Sequence, residues 1–256
     1  MKIAAGLINI KIYHITRFFN KMIDAIIPAR SGSKGLKNKN IKLLNNHPLI
    51  AYSIVFGRLC NNVGDVYVST DCQEIADISK KYGAKVPFLR PKEYSEDEST
   101  DYDFLKHFFE NINVEEVLLL RPTQPMRDPH YVDKGIEFYF ENKDKFSCLR
   151  SVEEGKSPYK GYKVINGYCE AIFDNMEKDL TNLPRQSFPK CYHANGHFDI
   201  IKKEIIEQNS TLGDKIYPYI SQKIIDIDTQ HDLDLVECQV GSKFDFISKQ
   251  LRRNYE

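Results

Sequence analysis

Three features of this chain predict an α/β fold, with a mostly parallel sheet covered by helices on both faces. Short apolar runs alternate with helical stretches from residue 24 to residue 141, the rhythm of strands joined by crossover helices. The length of 256 residues suits one such domain with a small appendage. Polar residues (Arg30, Asp71, Arg90 and Arg121) follow four successive predicted strands, at the edge where parallel sheets bind ligands.

The elements follow in order. Ala25–Ile27 reads as a buried first strand. A helix over His47–Phe56 begins at a proline and stays apolar. Asp65–Asp71 is a second strand, and Gln73–Tyr82 a helix stopped by Gly83. Val86–Leu89 is a short third strand, followed by a polar loop over Arg90–Thr100 and a helix from about Asp101 to Glu110. Val117–Leu120 is the fourth strand, and a helix runs from about His130 to Glu141. The rhythm changes at Ser147. A Gly-, Pro-, Tyr- and Asn-rich excursion at about 155–190 carries only short strand-like pieces, such as Tyr162–Ile165. Tyr192–Ile201 returns to the sheet, Lys223–Thr229 is a late strand, and a helix starts near Asp232.

Charge and cysteine content exclude several classes. Thirty-six basic residues balance 36 acidic ones, so no global field draws the chain to nucleic acid. The six cysteines are scattered without a C-x-x-C pair, which argues against a zinc ribbon or a disulfide framework and for a reduced, cytoplasmic protein. No apolar run reaches the length of a membrane span. Residues 1–21 lack a convincing small-residue cleavage site. They are expected to be a dispensable extension, or to precede a natural start at Met22, leaving residues 22–256 as one domain.

The chemistry concentrates after the first strand. Residues 30–39 carry two glycines, two serines and four cations, Arg30, Lys34, Lys37 and Lys39. Glycine lets backbone N–H groups approach an anion, and Lys and Arg supply charge there. The spacing matches neither a Walker loop nor a dinucleotide fingerprint. Asp226 and Asp228 alternate with Ile225 and Ile227, so period two places both carboxylates on one face. Two carboxylates beside a phosphate loop suit Mg²⁺; alternatively, Asp228-Thr229 caps the next helix and Asp226 is solvated. Arg121 and Arg127 flank a turn stiffened by Pro122 and Pro125. His193 and His197 lie four apart, but Gly196 and a strand-like context spoil zinc geometry. The acidic run Glu93–Asp101 reads as solvated loop.

Together these residues resemble the cytidylyltransferases that activate acidic sugars, the CMP-sialic acid (acylneuraminate) synthetases in particular. The resemblance spans about residues 23–240. It is carried by Ile27-Pro28-Ala29-Arg30-Ser31-Gly32-Ser33-Lys34-Gly35 running on to Lys39-Asn40, and by Val68-Ser69-Thr70-Asp71, Leu89-Arg90-Pro91, Arg121-Pro122-Thr123, Pro184-Arg185-Gln186, Asn195-Gly196 and Asp226-Ile227-Asp228-Thr229. It implies a Rossmann-like core, Mg²⁺ as cofactor, a homodimer formed through the excursion, and the coupling of CTP to a nine-carbon 2-keto sugar acid with release of pyrophosphate. Arg30, Lys34 and Asp228 would be catalytic. Ala29, Arg30, Lys34, Lys39, Asn40, Arg90, Ser99, Thr100 and Arg121 would bind the nucleotide. Arg121, Gln186 and Asn195 would face the sugar, and Asp226 and Asp228 would bind the metal. Cys72 and His193-Ala194 depart from the usual pattern. A CMP-Kdo synthetase or another sugar nucleotidyltransferase is the neighbouring alternative, and a non-catalytic nucleotide-binding regulator the more distant one.

Overall fold

The computed structural model describes residues 22–33, 35–239 and 246–255. The extension at 1–21 and Lys34 lie outside them. Strand β1 (Ile23–Pro28) leads through a small hairpin, β2 (Leu43–Leu44) and β3 (His47–Pro48), into helix α1 (Leu49–Leu59). Next come β4 (Val63–Ser69), α2 (Gln73–Lys81), α3 (Asp101–Asn111), β5 (Glu116–Leu119) and α4 (Pro129–Asn142). The second half holds β6 (Cys148–Glu154), the hairpin β7 (Tyr162–Ile165) and β8 (Tyr168–Ala171), and β9 (Tyr192–Lys202). It ends with α5 (Lys203–Glu207), β10 (Ile216–Ile220), α6 (Gln230–Gln239) and α7 (Phe246–Tyr255).

Six strands form one sheet in the order β10-β6-β9-β5-β1-β4. The β1–β4, β1–β5 and β6–β10 pairs are parallel, whereas β9 runs antiparallel to both its neighbours. The pleat sorts the core. Ala25, Ile27, Leu118 and Leu120 pack with residues of α1, α4, α6 and α7, whereas Ile26, Val117 and Leu119 pack with α3 and with Ile206 of α5. Strands covered on both faces need apolar residues at every position, hence the continuous runs Ala25–Ile27 and Val117–Leu120. Helix α1 is apolar all round because it is buried from Leu49 to Gly57.

Local signals account for several ends. Gly83 takes φ +92° just past α2, a left-handed conformation that glycine adopts without steric cost. Thr100 and Asp103 form a capping box at α3, and Asp128 accepts from the His130 N–H at α4.

Three expectations are corrected, and two strands were not anticipated. His47-Pro48 belongs to β3, and the first helix begins at Leu49. Val86–Leu89 is not a strand: the ladder beside β4 reduces to one parallel bridge, Tyr67 to Lys85, since Pro87 has no N–H to extend it. Lys223–Thr229 is irregular, and the strand near it is β10, seven residues earlier. Pro218 inside β10 disguises that strand, yet β10 is an edge where a missing donor is tolerated. β6 was unforeseen as well, because Arg150 interrupts its apolar run while the strand lies between β9 and β10.

Candidate active site

The sheet's carboxyl edge forms a cavity of about 410 Å³, with Arg30, Lys39, Asn40, Arg90, Ser99, Thr100 and Arg121 all in its wall. The loop after β1 is held from two sides. The Ser31 N–H and hydroxyl both donate to Asp71 (2.9 and 2.7 Å), and Asn40 Nδ2 donates to the Arg30 carbonyl (2.9 Å). Asp71, foreseen at this edge, therefore acts by clamping the loop. Ala29 is fully buried and its N–H is bonded to the Ser69 carbonyl, so its side chain is part of the core. Arg30 Nη1 donates to the Glu96 carbonyl at 2.6 Å and lies 3.5 Å from Asp97. The acidic run read as solvated loop thus closes one side of the cavity with Ser99, Thr100 and Asp101.

Arg90 is buried, donates to the Ser69 and Tyr94 carbonyls, and lies over the Phe104 ring. Burial lowers its guanidinium to about 10, with Asp71 opposing the shift. Arg121 makes a two-pronged contact with Asp101 (Nη1–Oδ1 3.2 Å, Nη2–Oδ2 2.5 Å) and lies 3.8 Å from the buried Asp199. Burial acts to lower Arg121, but Asp101, Asp199 and Asp226 outweigh it and hold the group charged. Neither Asp101 nor Asp199 was foreseen: Asp101 looks like an ordinary first-turn helix residue, and Asp199 sits in the apolar stretch Phe198–Ile201 of β9.

The irregular segment 221–229 brings its carboxylates to the same edge. Ile227 is fully buried and its N–H donates to the Thr123 carbonyl (2.9 Å), which turns Asp226 and Asp228 outward together. The alternation of faces is therefore as expected, without the strand. Asp228 Oδ1 accepts from Lys39 Nζ at 2.9 Å, and Thr123 hydrogen-bonds the Asp226 carboxyl. Gly35 closes the arrangement: a Cβ there would lie 2.7 Å from the Asp228 carbonyl oxygen. Asp226 is pushed above the ordinary carboxylate range by burial first and also by the charge of Asp228. Among the described residues no cluster of three or more His, Cys, Asp or Glu could hold a metal alone. Two mutually repelling hard-oxygen donors beside a cationic loop fit Mg²⁺, which commonly takes one or two carboxylates plus substrate phosphates.

Gln186 and Asn195 lie apart from this cavity. Gln186 lines a separate one of about 350 Å³ within the excursion, with Arg185 and Lys190. Asn195 gives Nδ2 to Ser221 Oγ (2.5 Å) and accepts from the His197 N–H (3.2 Å), while its carbonyl accepts from Gln124 Nε2. It meets the site through Gly196, which at φ +67° lets the Arg121 side chain cross where a Cβ would clash at 2.9 Å.

His197 is buried, and burial with the nearby Arg127 lowers its imidazole to about 3. A group whose folded pKa is depressed in this way leaves the unfolded chain binding more protons between about 6.5 and 3, so stability falls as pH drops through that window. Acidification from pH 7 to about 5 is expected to cost His197 alone about 2 kcal/mol. Urea midpoints across that range, compared with those of His197→Gln, check this: an equal acid slope in the variant removes the assignment.

A mixed, mostly parallel sheet with a cationic loop after its first strand, a second arginine-bearing loop and a carboxylate pair at the same edge defines an α/β protein with a strongly charged site at the carboxyl ends of its strands. The comparisons agree and go further. A cytidylyltransferase family model matches residues 25–183. An N-acylneuraminate cytidylyltransferase from Escherichia coli is 33% identical over 217 residues, 83% of this chain and 51% of that protein. A CMP-N,N'-diacetyllegionaminic acid synthase from Legionella pneumophila is 34% identical over 224 residues, 84% of this chain and 94% of that protein. The chain thus spans about half the length of the first relative and nearly all of the second. Among solved structures, a CMP:2-keto-3-deoxy-manno-octonic acid synthetase complexed with CTP superposes with a TM-score of 0.65 at 15% identity, covering 86% of this chain and 99% of the other. The protein belongs to the cytidylyltransferase family, on the nucleotidyltransferase variant of the Rossmann-like fold.

Proposed function

We propose that this protein couples CTP to a nine-carbon 2-keto sugar acid of the sialic or legionaminic type, giving the CMP-sugar and pyrophosphate. The gathering of Arg30, Lys39, Asn40 and Arg121 in one cavity wall, with Asp228 bonded to Lys39 and Asp226 to Thr123 of that wall, supports this reading. It is supported by relatives named for the sialic and legionaminic acids at 33% and 34% identity. A CMP-Kdo activity has the structural likeness behind it, at an identity that speaks for the fold alone.

In this reading Arg30 and Lys39, with Lys34, hold the triphosphate and offset the charge that gathers on the phosphoryl oxygens. Asn40, Arg90, Ser99 and Thr100 seat the nucleotide, Ala29 sets the turn into the loop, and Arg121 faces nucleotide and sugar. Gln186 and Asn195 serve the sugar from the excursion and β9. The anomeric hydroxyl attacks the α-phosphorus, the bond to the β-phosphate oxygen breaks, and Asp228 helps take the hydroxyl proton. Asp226 and Asp228 would hold Mg²⁺, which when bound supplies Lewis-acid charge withdrawal at the phosphate oxygens. A reduced, cytoplasmic setting suits a chain whose six cysteines are all free, and among the described residues no helix is long and apolar enough to cross a membrane.

A homodimer through the excursion is part of the proposal. The β7–β8 hairpin turns tightly at Asn166 and Gly167, both with positive φ, and leaves Val164 and Tyr168 71% and 74% exposed. Val164 stands on one face of the hairpin and Tyr168 on the other, and a two-stranded ribbon with apolar side chains exposed on both faces is suited to a covering partner. Val164→Glu with Tyr168→Glu is expected to convert a dimer to a monomer by light scattering; an unchanged mass moves the interface elsewhere.

The decisive assay is pyrophosphate release with Mg²⁺ and CTP against N-acetylneuraminic, legionaminic, pseudaminic and Kdo acids. Release with one nine-carbon acid establishes the activity and names the substrate. Release with Kdo alone moves the protein to the neighbouring branch, and silence from all four removes the proposal.

A further inference from the structure

We propose that Arg127 is a positioning residue for the proposed transfer reaction, a keystone that sets Arg121 and Asn195 relative to each other. The inference rests on the reading above.

Arg127 is 3% exposed, and among the described residues none of its donors meets a carboxylate. Nη2 donates to the Arg121 carbonyl (2.7 Å) and Nη1 to the Gln124 carbonyl (2.5 Å). Nη1 also reaches Ser53 Oγ in α1 (2.9 Å), and Nε reaches the His197 carbonyl in β9 (2.7 Å). Its plane lies over the Phe56 ring. An apolar side chain could fill this volume without burying a lone charge, so the arrangement calls for an explanation beyond packing.

The loop's composition provides one. Arg121 and Gln124 each precede a proline, and Pro122 and Pro125 have no N–H, so the turn is short of its own donors. The fixed fork of a guanidinium meets both carbonyls, Ser53 Oγ and the His197 carbonyl at once, four contacts where an ammonium has only three donors. Those two residues carry the consequences: the Arg121 side chain stands in the cavity wall, and Gln124 Nε2 grips the Asn195 carbonyl. Ser53 completes the lock, donating to the Arg121 carbonyl (3.1 Å) while accepting from Arg127. One buried group thus joins loop, helix and β9 beneath the site without touching substrate.

Arg127→Lys and Ser53→Ala test this, Ser53→Ala being the mild variant that keeps the charge. Steady-state kinetics with CTP and the preferred acid are combined with hydrogen exchange over residues 121–127. Ser53→Ala is expected to fold normally and to lose about tenfold in kcat, the equivalent of one restraining hydrogen bond. Arg127→Lys is expected to lose about a hundredfold. KM for CTP should rise far less than kcat falls in both, because the triphosphate loop is untouched and only the Arg121 contact with the nucleotide shifts. Faster exchange at 121–127 in both variants is the readout independent of activity, and it decides the matter even if the wild-type protein transfers to none of the acids. Should Arg127→Lys fail to fold, Ser53→Ala alone decides. Unchanged exchange at 121–127 in the folded variants overturns the proposal, as does a kcat loss that merely follows the unfolded fraction.

Discussion

Asp228→Asn is expected to lower turnover by about a thousandfold, roughly 4 kcal/mol of transition-state stabilisation, while leaving the fold intact. The two halves of that expectation come from different observations. The Asp228 side chain is 68% exposed and its pairing with Lys39 is a surface ion pair, a kind of contact worth little to stability. The proposed chemistry, by contrast, asks the same carboxylate to share a divalent cation with Asp226 and to balance Lys39. Asparagine keeps the shape and removes the charge, so a loss of turnover reports electrostatics. The melting temperature should move by only a few degrees, in keeping with such a pair. A folded Asp228→Asn enzyme with near-wild-type turnover would remove Asp228 from the mechanism and leave Asp226 to be tested alone.

The second large effect is expected at Gly35. Its role is close approach, since an added Cβ would stand 2.7 Å from the Asp228 backbone oxygen, a contact that real Cβ atoms do not make. Gly35→Ala must therefore separate the cationic loop from the carboxylate segment by a fraction of an ångström or more. Misplacement on the scale of 1 Å costs about a hundredfold in well-oriented reactions, and a loss of about that size in kcat/KM for CTP is the expected outcome. Gly32 is the internal control. Nothing lies within 4 Å of a Cβ there, so Gly32→Ala should be nearly silent. Equal losses at both positions would mean that loop flexibility, rather than the contact with Asp228, is what the glycines provide.

Much of the molecule could be read from residue order. The runs Ala25–Ile27 and Val117–Leu120, the helix stop at Gly83 and the hairpin piece Tyr162–Ile165 are local signals whose physics acts within a few residues, and they appear where expected. The cationic loop and the alternation of Asp226 and Asp228 with isoleucine were legible for the same reason. What failed depended on neighbours. Val86–Leu89 has strand-like composition, yet Pro87 leaves β4 no ladder to extend. β10 contains a proline that reads as a strand breaker until the strand is seen to be an edge. Segment 223–229 alternates like a strand but belongs to none, held instead by Ile227 in the core and by the Thr123 carbonyl.

Residue order by itself determined the fold class, the cationic loop and the candidate carboxylates, because hydrophobic periodicity, glycine and proline geometry and side-chain charge are properties of short segments. Only the tertiary structure decided which distant groups meet: Asp101 and Asp199 on Arg121, Asp71 on Ser31, Gly35 against Asp228, and Arg127 beneath the Arg121–Gln124 turn. Those pairings join residues up to 193 positions apart, 35 to 228, and they depend on strand order and on β9 running against its neighbours. No local pattern encodes such contacts, since their energies exist only once burial removes water and the chain has closed the loops between them.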